Sequence, residues 1–204
     1  MKRAVVACIV ILVLSGLVLG GNVKTKAEPE AGAGLQFKEW GISFTTPAQW
    51  QRWPSDKESA VAAKALQSVD DVTLKVQVVH LAGWSTADEA AFMILTVQRE
   101  RSGRALQLPD LLARKKRDDK RAKEYGDATK INRLEFDKVG GCTCVVHDVT
   151  LRAGGRMLTY DFVSGPDQVH VQWLFRDAGR FVDLKPAVDG VLNTLSLGCD
   201  PKKQ

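Results

Sequence analysis

Residues 131–175 read INRLEFDKVGGCTCVVHDVTLRAGGRMLTYDFVSGPDQVHVQWLF. Glycine-bearing breaks at Gly140-Gly141, Gly154-Gly155 and Ser164-Gly165-Pro166-Asp167 divide this stretch into four strand candidates. They cover residues 131–136, 142–151, 156–163 and 169–175. Leu158, Tyr160 and Phe162 share one face of the third, and Val169, Val171, Trp173 and Phe175 share one face of the fourth. Short, turn-linked strands of this kind form an antiparallel meander.

Working outward, residues 181–195 place Phe181, Leu184, Val188, Val191 and Leu195 on one helical stripe. Pro186 is expected at the first turn of that closing helix, after a short bend, because proline strains a helix interior. Upstream, residues 108–125 predict a helix with Leu108, Leu111 and Leu112 as its apolar face and a solvated C-terminal half. Thr86-Ala87-Asp88-Glu89 has the form of a capping box and predicts a helix to Arg101. Residues 72–79 alternate strictly and predict a strand ended by Gly83. Residues 40–45 read as the first strand. Residues 57–67 are Ala-rich and fit either a helix or a short strand and turn. The expected fold class is α+β: a single antiparallel sheet of about six strands flanked by helices. Its core is expected to hold Val76, Phe92, Ile94, Val145, Phe162, Val171, Trp173 and Val191.

The N-terminus sets the compartment. Met1-Lys2-Arg3 is followed by sixteen uncharged residues, 4–19, and then Gly20-Gly21. Residues 1–21 therefore read as a secretory signal peptide, with cleavage expected between Gly20 and Glu28. Left uncleaved, the same run would be a signal anchor. Leu14-Ser15-Gly16 is followed by Leu17 where a lipobox requires cysteine, so a lipoprotein is excluded. Residues 22–34 hold one large apolar side chain, Val23, and read as a flexible linker. The globular domain is expected over 35–198 and a tail over 199–204. The expected location is extracytoplasmic, in the periplasm or cell envelope.

Cys142, Cys144 and Cys199 remain after the signal. An oxidising compartment allows one bridge, expected between Cys199 and either Cys142 or Cys144. On a strand Cys142 and Cys144 share a face while His147 points away, so one ion could not collect all three. Net charge is +5 over the chain, and residues 99–124 alone contribute ten Lys/Arg against five Asp/Glu. Arg114, Lys115, Lys116, Arg117, Lys120 and Arg121 form a basic patch. It reads as a solvated helix carrying i,i+4 pairs such as Asp119–Lys123, or as a surface for an acidic envelope protein or anionic membrane. Nucleic acid is disfavoured by export and by the lack of interleaved aromatics.

No phosphate loop, nucleophile elbow or metal cluster is present in the sequence. His80, His147 and His170 each lie on a strand candidate, and His147 and Asp148 face opposite ways. No catalytic residue, cofactor or metal is assigned. Trp50 and Trp53 are candidate cleft aromatics.

Gly41-Ile42-Ser43-Phe44, Pro47-x-x-Trp50, the strand over 74–79, the capped segment, the glycine-turn meander and Val188-x-x-Val191-Leu192-x-x-Leu195 together resemble the PsbP-like fold. That fold is named for an extrinsic subunit of photosystem II and is shared by exported bacterial proteins of unknown function. The resemblance covers residues 35–198. It implies an α/β/α sandwich and roles in binding, assembly or stabilisation of a partner, and it names no catalytic residue. With no plastid-type transit peptide, a photosystem role is not carried over. The expected function is that of an exported, non-catalytic binding or accessory protein. The alternatives are a membrane-surface protein acting through residues 114–121, or an enzyme without a recognisable motif.

Overall fold

The computed structural model describes residues 34–67, 76–100, 107–125 and 128–198. The expected signal peptide, all of the expected linker except Gly34, and the expected tail with Cys199 lie outside the described residues. The meander occupies β6 (Ala128–Val139), β7 (Cys142–Leu151), β8 (Arg156–Ser164) and β9 (Asp167–Phe175). Its turns use glycines at positive φ, Gly140, Gly141, Gly154 and Gly165, where a Cβ would be strained. β9 then pairs with β5 (Ala91–Glu100), β5 with β4 (Val76–Ser85), and β4 with the two-residue β3 (Gln51–Arg52). The result is a seven-stranded antiparallel sheet, not six, ordered β3-β4-β5-β9-β8-β7-β6. A separate two-stranded sheet pairs β1 (Gly34–Phe37) with β2 (Ile42–Thr45).

The helix expected over residues 86–101 is a strand. Thr86 and Ala91 close a hairpin instead of capping a helix: the Thr86 N–H donates to the Ala91 carbonyl and the Ala91 N–H to Thr86 Oγ1, both at 3.1 Å. Residues 91–95 are apolar on both sides because β5 is central and covered on both faces, a pattern that helix and buried strand share. Gly83 does not end the preceding strand. β4 runs through it because the Trp53 ring lies over this position, where an added Cβ would come within 2.1 Å of the ring. Residues 72–75 lie outside the described residues.

Three helices flank the sheet: α1 (Ser55–Gln67), α2 (Leu108–Tyr125) and α3 (Arg180–Thr194). Residues 57–67 are thus helical. Pro186 sits inside α3 and not at its start. The bond it cannot make would have gone to the carbonyl of Val182, a residue 74% exposed, so water can take the partner's place. α3 packs over the main core, where Phe44, Trp84, Phe162, Val171, Trp173, Val188 and Val191 meet. Beyond α3, Ser196 exchanges both backbone bonds with Ser43 at 2.8 and 2.9 Å, which holds the chain's last described residues against β2. A second cluster on the opposite face joins Trp53 and Val61 of α1 to Phe92, Ile94, Val149, Met157 and Leu174. Seven of the eight expected core residues are buried; the side chain of Val76 lies outside the described set.

Candidate functional site

α2 lies on the same sheet face as the second cluster. Its inward positions are spaced for a helix: Leu108, Leu111, Lys115, Asp119. Leu111 is fully buried and supplies apolar contact at the N-terminal end. Two turns on, the same stripe becomes ionic. Lys115 Nζ lies 2.7 Å from Asp161 Oδ2, and Asp119 Oδ1 lies 2.8 Å from His147 Nε2. Asp119 is buried, so the C-terminal half of α2 is not solvated at every position as expected, although Lys116, Arg117 and Lys120 are exposed. The partner of Asp119 is His147 of β7, because the sheet face beneath is itself polar.

That polarity follows from strand phase. In β8 and β9 the positions between the core residues are Thr159 and Asp161, and Gln168, His170 and Gln172. Asp161 and His170 are direct register partners across the hairpin. His170 Nδ1 donates to Asp161 Oδ1, and Gln168 Nε2 reaches the same oxygen at 3.5 Å. Arg114 Nη2 donates to Gln168 Oε1 at 2.8 Å. Asp161 is 0% exposed. Burial by itself would raise its pKa, but the charges of Lys115 and His170 and their hydrogen bonds overcome this and hold the carboxyl well below its usual range. Asp161 is therefore an ionised carboxylate at the centre of the α2–sheet interface.

The basic patch is consequently divided. Arg114 and Lys115 turn to the sheet, while Lys116, Arg117 and Lys120 are exposed. The side chain of Arg121 lies outside the described residues. The described partner of Asp119 is His147; the side chain of Lys123, expected to pair with Asp119, lies outside the described residues. Trp50 belongs to the main core and Trp53 to the second cluster, each more than nine-tenths buried. Both are packing anchors and not cleft walls: Trp53 covers Gly83, and its own ring meets Phe92 edge-on at 6.1 Å. Cys144 is a free, fully buried thiol, and burial pushes its pKa up to about 12. It is therefore not the partner of a bridge. Cys142 Sγ lies 4.0 Å from the carbonyl oxygen of Leu197, and Cys199 falls outside the described residues. Among the described residues no group of three or more His, Cys, Asp or Glu side chains is placed to hold a metal ion, and no helix is long and apolar enough to cross a membrane.

Sequence reasoning picked out His147 and His170 but missed Asp119 and Asp161. For Asp161 a signal existed. A two-residue loop at Gly165-Pro166 pairs Ser164 with Asp167 and therefore Asp161 with His170. Asp119 had no comparable signal, since nothing in a charge run says which residue turns inward.

No protein-family model and no curated protein matches the chain. Solved structures do. The solution structure of cyanobacterial PsbP from Synechocystis sp. PCC 6803 superposes with a TM-score of 0.52 at 13% identity, over 89% of this chain and 98% of that one. A protein of unknown function from Pseudomonas aeruginosa gives 0.44 at 12% identity, over 80% and 95% of the two chains. A Bacteroides thetaiotaomicron protein gives 0.41 at 12% identity, over 77% of this chain and 45% of that one. Agreement with the cyanobacterial structure over nearly the whole of both chains, with helices on both faces of one antiparallel sheet, makes the fold of this protein PsbP-like.

Proposed function

We propose that this chain is an exported, non-catalytic binding or accessory protein of the cell envelope. The observation that supports it most is the state of the ionisable groups at the centre of the molecule. Lys115, Asp161, His170, Asp119 and His147 are engaged with one another beneath α2, in the positions that proton transfer to a substrate would require open. What α2 offers outward is a row of exposed cations, Lys116, Arg117 and Lys120. Such a surface suits an acidic protein partner, to which it would add association rate more than affinity.

The same cations favour a second reading, attachment to an anionic membrane surface, where each Lys or Arg adds about 1 kcal/mol. A Lys116→Glu/Arg117→Glu/Lys120→Glu variant separates the two. Sedimentation of the wild type with phosphatidylglycerol vesicles but not phosphatidylcholine vesicles, lost in the variant and in high salt, favours the membrane. A discrete cross-linked partner in native envelopes, absent for the variant, with no vesicle binding, favours the protein. Retention of the wild type in the cytoplasmic fraction overturns the export on which both rest. An enzyme without a recognisable motif is the remaining alternative, and the two His–Asp pairs would supply its chemistry. Turnover lost on His170→Gln would favour it.

A further inference from the structure

On the face opposite α2, a cleft of about 440 Å³ opens between the β6–β7 turn and α3. Asp137, Lys138 and Gly140 line one side, Asp189 and Asn193 the other. Gly140 is pressed against the end of α3's segment: an added Cβ would sit 2.4 Å from the Leu195 carbonyl oxygen. Tyr160 reaches the cleft from the core, its ring held edge-on by Trp173 at 5.9 Å.

Tyr160 is 8% exposed, and its hydroxyl has no hydrogen-bond partner among the described residues. The hydroxyl is not a sealed, unsatisfied group: it opens to the cleft and is available to whatever enters there. Burial also pushes its pKa up to about 12, so it remains a donor at neutral pH. The carboxylates around it are already balanced. Asp137 Oδ2 lies 3.0 Å from Arg133 and its other oxygen accepts the Lys138 N–H at 2.7 Å, while Asp189 lies 2.5 Å from Lys185. Among the described residues the Lys138 ammonium and the Asn193 amide make no side-chain bond. An anion entering here would meet two carboxylates. A cation would have to displace Arg133 or Lys185 and would also meet Lys138. A neutral molecule carrying many hydroxyls meets donors and acceptors in alternation and disturbs neither ion pair.

We propose that this cleft binds a neutral polyhydroxylated ligand of the saccharide class, with the Tyr160 hydroxyl donating to a ligand oxygen. The site lies on the other sheet face from α2 and does not depend on the role given to the basic helix. The test titrates the full mature chain with maltose, sucrose and diacetylchitobiose, with putrescine and citrate in parallel, and follows backbone amide shifts. At least one disaccharide is expected to move the amides of Val139, Gly140, Leu192 and Asn193 to saturation. Tyr160→Phe is expected to weaken that binding about fivefold, the effect of one hydrogen bond. Its unfolding midpoint should be unchanged, because the hydroxyl holds nothing among the described residues. The proposal fails if no disaccharide gives a saturable shift, if putrescine or citrate saturates the same amides more tightly, or if Tyr160→Phe binds as the wild type does.

Discussion

Removing the carboxylate of Asp161 strands Lys115 and His170 together, which makes this residue a sensitive polar position. Breaking one partner of a buried ion pair costs about 3 kcal/mol or more, since the remaining charge is left uncompensated. Asp161→Asn is expected to lose about that much in urea unfolding, and Asp161→Leu combined with Lys115→Leu to lose less than Asp161→Leu alone. The same carboxylate sets an acid limit. Its pKa is depressed in the folded protein, so its contribution is complete above the unfolded value of about 3.9 and disappears as pH falls from there through the folded value. Stability of the wild type should therefore decline below about pH 4 more steeply than that of Asp161→Asn. Comparing urea midpoints across that range checks it, and parallel profiles would remove Asp161 from the explanation. Cys144 gives a separate residue-level expectation: with a thiol shifted to about 12 and no exposure, it should resist iodoacetamide at neutral pH until the chain is unfolded. The cross-strand arithmetic at Gly165 made Asp161–His170 readable from sequence. The helix-to-sheet partners Lys115 and Asp119 were not readable, because they depend on how α2 is rotated over β7 and β8.

At the scale of elements, the tight turns were readable and the covered strand was not. β7, β8 and β9 announced themselves through glycine pairs and period-two alternation. β5 did not, because Ala91, Met93 and Leu95 fill the main core while Phe92 and Ile94 fill the second cluster. With both faces buried, no polar phase remains to show the period, and Thr86 and Glu89 mimic a helix start. β4 shows how an aromatic residue outside a strand can decide its length. Trp53 seals the gap at Gly83, so Gly83→Ala should destabilise by about 2 kcal/mol, as overpacking does. Adding Trp53→Val should make the double variant lose less than the sum of the two single losses, as neighbours that share a clash do. Additive losses in chemical denaturation would show that Trp53 is not what excludes a side chain there.

For the whole molecule, the last described segment matters most. Ser196 and Gly198 hydrogen-bond to β2 at Ser43 and Gly41, and Leu197 passes within 4.0 Å of Cys142 Sγ. Two further residues span at most about 7 Å, which keeps Cys199 within reach of Cys142. With Cys144 free, the expected bridge is Cys142–Cys199, closing a loop of more than fifty residues and adding a nominal ~4 kcal/mol. Non-reducing peptide mapping of the protein purified under oxidising conditions should recover the two cysteines in one linked fragment. A mass showing both alkylated without reduction would exclude the bridge.

The sheet order also has a temporal side. β6 to β9 form one consecutive series of hairpins, so each strand of that half finds its neighbour within a short stretch of chain. β5 has no such luck: its second neighbour is β9, and residues 91–99 must wait for residues 167–175. A chain emerging N-terminus first therefore presents β4 and β5 as an unfinished ribbon, with two apolar faces and one open edge, for the time needed to deliver about seventy more residues at roughly 5–20 per second. For several seconds the first half is a client for whatever holds unfolded chains, and it becomes self-sufficient only when β9 arrives. A protein so arranged completes its fold only once the last strand of the meander has been made.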